Sequence, residues 1–135
     1  MKADILVPVS PGELADKITI LRLKSARIAD PAKLSNVRHE LAVLTDLAER
    51  EMAPVPGLAA LEAELQEINA ALWDIEDDIR AADARGDFGP AFVALAQAVY
   101  RTNDRRAEVK RRINMLLGSA IVEEKSYHPH GAPAG

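Results

Sequence analysis

Apolar residues recur along this chain at steps of three and four, the period of a helix that buries one face, and Pro and Gly punctuation cuts the pattern into four blocks. The clearest block carries Leu58, Leu61, Leu65, Ile68, Leu72, Ile75 and Ile79 and predicts a helix over 57–82. Seven unbroken seam positions mark helices packed at a shallow angle and predict that this helix is the best buried. Ser10-Pro11-Gly12-Glu13 reads as a capping box, with a serine cap, proline at the first helical position and a glutamate to reach back, so a helix starts at 11 and runs to about 29. Asp30-Pro31 repeats the cap-plus-proline start and predicts a helix over 31–51 on the seam Leu34, Val37, Leu41, Leu44 and Ala48. A fourth helix follows over 90–117, from Pro90 to a stop at Gly118.

The expected fold is therefore all-α, an antiparallel bundle of about four helices forming a single domain over 1–127. Ile5, Val7 and Val9 alternate, but Pro8 limits them to an extended arm or an edge strand. Residues 119–127 read as a last helical turn or a second extended piece, and 128–135 as a flexible tail.

Composition narrows the functional classes. Aromatics are only 4% of the 135 residues, so the core is aliphatic. The absence of cysteine excludes disulfides and thiolate metal sites and fits a cytoplasmic location. No apolar stretch has the length of a membrane span, and a net charge of −4 disfavours nucleic acid as a partner. The charge is unevenly spread. Between Leu58 and Arg80 seven acids face one Arg, whereas Val99 to Asn114 holds six basic residues against two acids, a complementarity expected across an antiparallel hairpin. Individually such exposed pairs stabilise by only about 0–1 kcal/mol, so their expected effect is on register.

The seam of the fourth helix is interrupted by Thr102 and Arg106, the latter expected to snorkel toward Glu64 or Glu67. Asn69, Trp73, Glu76 and Arg80 form a polar stripe on the third helix, with Glu76 placed to pair with Arg80. Reversal of the chain about residues 85–89 brings Trp73 level with Tyr100 and Asn69 with Asn103. Reversal about Pro54 and Asp30 adds Asn36 or Arg38 and Lys24. The candidate ligand-binding set is then Lys24, Arg38, Asn69, Trp73, Glu76, Tyr100 and Asn103, suited to a small anionic ligand. A closed structural network of the same residues is the competing reading. No metal site and no cofactor are expected; Asp74 and Asp77, one turn apart, are the weaker metal alternative. Helix 1 is apolar nearly all round, which places it at the centre of the bundle or at an interface and argues for self-association, at least as a dimer.

The strings Gly12-Glu13-Leu14-Ala15-Asp16-Lys17-Ile18-Thr19-Ile20-Leu21, Leu72-Trp73-Asp74-Ile75-Glu76-Asp77-Asp78-Ile79-Arg80, Tyr100-Arg101-Thr102-Asn103-Asp104-Arg105-Arg106 and Glu123-Glu124-Lys125-Ser126-Tyr127 resemble an uncharacterised bacterial family of short helical proteins, catalogued only as a domain of unknown function. That resemblance implies no activity or site residue. The leading expectation is a helical interaction or assembly module. A bundle that binds a small anionic metabolite or acts on it as an enzyme is the second, by analogy with the all-helical chorismate mutases, to which helix 1 is faintly similar. A magnesium-dependent nucleotide pyrophosphohydrolase is the third, resting on Asp74 and Asp77.

Overall fold

A computed structural model describes residues 3–129; residues 130–135, most of the expected tail, lie outside the described residues. Four helices are present: α1 Pro11–Arg27, α2 Pro31–Glu51, α3 Leu58–Ala84 and α4 Pro90–Leu116. The described residues contain no strand, and residues 3–9 form an exposed arm without regular structure.

Local chemistry accounts for the boundaries. Ser10 Oγ accepts from the Glu13 N–H at 3.2 Å, and Asp30 accepts from the Ala32 N–H at 3.0 Å. Only half of the expected capping box forms at α1, because the Glu13 carboxylate turns away to Lys110 Nζ at 2.6 Å. Helix α1 ends two residues before the predicted limit. Asp30 must be extended to cap α2, and a residue preceding proline disfavours helical backbone, so Ile28 and Asp30 both lie in the β region. Gly118, at φ +66°, closes α4 while the Ser119 N–H donates to the Asn114 carbonyl at 2.8 Å.

The helices alternate in direction. One end of the bundle gathers the start of α1, the end of α2, the start of α3 and the end of α4. Helix α1 packs against all three others and α3 against α4, whereas α2 approaches only α1. The best-buried helix is therefore α1 rather than α3: eight of its 17 residues are buried, against five of 27 on α3 and none on α2. The seam of α3 is genuine, with Leu65 and Ile68 sealed, but Leu72, Ile75 and Ile79 are only half-buried. Ala15, Leu58, Leu65, Ile68, Val109 and Ile113 form the core, where α1, α3 and α4 meet. The apolar girth of α1 is thus absorbed inside one chain and does not itself call for a second copy. Helix α2 shows the opposite pattern, a seam (Leu34, Val37, Leu41, Leu44) half-covered from one side.

Candidate functional site

Asp16 lies on α1 between Leu14 and Ile18, on a helix surrounded by three others, so its carboxylate has nowhere to meet bulk water. It is 1% exposed. Three side chains from three helices compensate it. Arg106 of α4 reaches it with two nitrogens, Nε lying 2.8 Å from Oδ1 and Nη2 engaging Oδ2. Asn69 of α3 donates through Nδ2 to Asp16 Oδ1 at 3.0 Å and to Thr19 Oγ1 at 2.8 Å. The Thr19 hydroxyl donates in turn to the Asp16 carbonyl at 2.8 Å. Burial alone would push the Asp16 carboxyl up; the bonds from Arg106 and Asn69 and the Arg106 charge outweigh it and hold the group below the ordinary carboxylate range. The same bond to Asp16 raises Arg106 above its ordinary value, against the effect of burial.

A second cluster sits one turn nearer the start of α1. Lys110 Nζ bridges Glu13 at 2.6 Å and Glu123 at 3.1 Å, and Ser10 Oγ donates to the other Glu123 oxygen at 3.4 Å. Burial tends to raise Glu13 and to lower Lys110, but their mutual bond and opposite charges prevail, so Glu13 is held low and Lys110 high. Beside them the Gly12 N–H donates to Asn114 Oδ1 at 2.7 Å. A Cβ on Gly12 would overlap the Lys110 carbonyl oxygen, so the close approach of α1 to α4 depends on glycine here.

Two grooves open on either side of this polar seam. One, of about 570 Å³, lies between α1, α3 and α4 and is lined by Asn69, Trp73, Glu76, Asn103 and Arg106 over Ile20, Leu23 and Leu72. It joins four residues of the sequence-derived set. The other, of about 580 Å³, runs along α4 beneath residues 122–128 and contains Tyr100 together with Asn103, Arg106, Lys110 and Asn114. Tyr100 therefore lines a different groove from Trp73. Lys24 is half-buried on α1 and lines neither groove. Arg38 is exposed on α2, and neither it nor Asn36 lines the groove at Trp73, because α2 does not approach α3. Arg106 pairs with Asp16, not with Glu64 or Glu67; Glu64 meets Arg112 instead, at 3.5 Å, the one α3–α4 ion pair among the described residues. Glu76 bonds Arg80 at 3.3 Å, as its spacing predicts. Asp74 is engaged by Arg27 at 2.7 Å, and among the described residues no three His, Asp or Glu side chains gather as a metal ion would require.

A third feature is apolar. The large hydrophobic residues left exposed include Ile5, Leu6, Val7 and Val9 on the arm, Met115 and Leu116 at the end of α4, and Ile121 and Val122 just beyond it. All eight belong to the end of the bundle where the arm leaves at Ser10 and α4 finishes. Ile5 is 88% exposed and Leu6 84%, and no main-chain group of residues 3–9 is bonded to another part of the described chain. A shallow groove of about 330 Å³, lined by Ala15, Ile18, Met52, Pro54 and Leu58 among others, opens near the same end.

A model for a family of unknown function, DUF6165, matches residues 5–134. The chain belongs to this family. No curated protein and no solved structure matches it. The DUF6165 match spans the arm, all four helices and the segment after α4, so the polar seam and the apolar end both lie within it. Among the described residues of this DUF6165 chain, no helix is long and apolar enough to cross a membrane.

Asp16 and Gly12 are the positions of the buried polar seam that the periodicity did not bring forward. The available signal was a stripe of small or polar residues, Gly12, Asp16 and Thr19, on the same helix as the buried apolar residues Leu14, Ala15, Ile18, Leu21 and Leu23.

Proposed function

We propose that this DUF6165 protein is a cytoplasmic assembly module whose apolar end docks a second copy of the chain, giving at least a dimer. The observation that carries the proposal is the run Ile5–Val9, in which Ile5, Leu6 and Val7 are each at least two-thirds exposed on a main chain without hydrogen-bond partners among the described residues. Exposed aliphatic surface of this kind marks interaction sites, and unpaired main-chain groups are open to pairing with another chain. Residues 5–12 carry no charge, so two identical arms meet without like-charge repulsion although the whole chain has a net charge of −4. The groove that Ala15, Ile18, Met52 and Leu58 line together with Arg22, Glu49 and Glu62 offers the partner's arm apolar surface. The cysteine-free composition supports a reducing compartment.

Sedimentation velocity of the full chain tests this reading. A dimer is expected, dissociating in the double variant Ile5→Asp, Val7→Asp while helical circular dichroism stays unchanged. A strict monomer up to about 1 mM, where even a millimolar affinity populates the dimer, overturns it.

A further inference from the structure

We propose that the groove between α1, α3 and α4 at Trp73 binds a small monocarboxylate with a compact apolar body. The inference is independent of assembly, since the groove lies away from the arm.

Unused hydrogen-bonding capacity on its walls points to the ligand. A guanidinium has five N–H groups, and Asp16 takes one from Nε and one from Nη2 of Arg106, leaving three. Asn103 is half-buried, and its side-chain amide has no partner among the described residues; the same holds for the indole N–H of Trp73. These three donor-bearing residues line one groove. Donors of this kind suit oxygen acceptors, and an arginine with a free edge suits a carboxylate.

The walls restrict what the carboxylate carries. Ile20, Leu23 and Leu72 line the groove with aliphatic surface that takes an apolar body. Glu76 and Asp77 also line it, the lining Arg80 is paired with Glu76, and Asp16 already offsets Arg106 from behind, so a phosphate or dicarboxylate meets too little positive charge. A single negative charge fits, and a neighbouring ammonium group is tolerated. Trp73 is already positioned for contact: Arg27 lies over its ring, 5.5 Å from the centroid, and is itself held by Asp74 at 2.7 Å. A wall fixed before binding spares the ligand the cost of ordering it.

Trp73 is the sole tryptophan of the chain, so one residue reports on the groove. Its fluorescence and its indole N–H resonance are followed while the full chain is titrated with 4-methylpentanoate, leucine, leucinamide and inorganic phosphate. The expected result is a saturable shift with 4-methylpentanoate and none with leucinamide or phosphate. An equal response to leucine assigns the α-amino acids as ligands; no response to it assigns plain carboxylates. Asn103→Ala, which retains the reporter and the Asp16–Arg106 pair, is expected to weaken binding about tenfold, the effect of one hydrogen bond to a charged group. No saturable shift with either carboxylate up to about 10 mM, ten times a weak millimolar Kd, overturns the proposal. So does an equal response to phosphate or leucinamide, or an unchanged affinity in folded Asn103→Ala.

Discussion

Asp16 and Arg106, ninety positions apart in the chain, meet inside the α1–α4 contact with the Arg106 Nε 2.8 Å from an Asp16 carboxylate oxygen that is shut away from solvent. An ion pair in this setting need add little net stability over apolar residues of the same shape. Removing one member is far more damaging, because the other charge stays buried. Arg106→Met is expected to destabilise by about 3 kcal/mol in urea unfolding. The double variant Asp16→Leu, Arg106→Met should recover much of that loss. A double variant as unstable as the single one would show that the pair itself, rather than its compensation, holds the helices together.

The same carboxylate sets the response to acid. Asp16 and Glu13 have folded pKa values below their unfolded ones, which lie at about 3.9 and 4.3 for the two residue types. Their stabilisation is present above those unfolded values and is lost as pH falls through the folded ones. Arg106 and Lys110 are raised, so their contribution is complete below the unfolded lysine value of about 10.4 and is lost only above it. Melting temperature should therefore be flat from about pH 6 to 9 and fall steeply below about pH 4. Asp16→Asn, already weakened at neutral pH, should show a shallower acid limb; an acid limb as steep as that of the parent chain would mean that other carboxylates govern it.

Gly12 offers a test in which propensity and packing have opposite signs. Within a helix, alanine is favoured over glycine by about 1 kcal/mol. Here the added methyl overlaps the Lys110 carbonyl and comes within 2.8 Å of Asn114 Oδ1, and neither the α4 main chain nor the bonded amide can yield cheaply. Gly12→Ala is expected to destabilise by about 1–3 kcal/mol despite its better propensity. A stabilised variant in thermal melting would show that α1 and α4 separate easily at this end.

Burial also predicts an uneven distribution of stability. Leu65→Ala, at a fully sealed position, should cost about 2–5 kcal/mol. Leu41→Ala, on a helix without one buried residue, should cost well under that range. Hydrogen exchange should accordingly open the amides of α2 at lower free energy than those of α1. Equal protection of the two helices would contradict the one-sided packing of α2.

Element type and order were legible because their causes are local. Ser10 with Pro11, Asp30 with Pro31, and Gly118 each act on the backbone within a few residues, and the helices start or stop where these residues require. The height at which Asn69, Trp73 and Asn103 meet was legible too, since a short hairpin leaves little freedom of register. What was not legible is which helix becomes central. The seam of α3 is longer than that of α1, but centrality depends on how many neighbours a helix has. Only three-dimensional packing decides that, and it leaves α2 against a single neighbour. From the misplaced α2 came the false expectation for Arg38, and from the unrecognised centre came the missed partner of Arg106. Tyr100 was set in the wrong groove because a height match does not specify a rotation about the helix axis.

The central position of α1 has a temporal consequence. This helix precedes its partners in the chain, so during synthesis its apolar surface and the Asp16 carboxylate wait for residues about ninety positions downstream. At roughly 5–20 residues per second, that interval is on the order of ten seconds. Throughout it, the nascent chain holds its future centre with only α2, and later α3, as cover. Final closure awaits the arrival of α4, which makes the last helix the one that commits the fold.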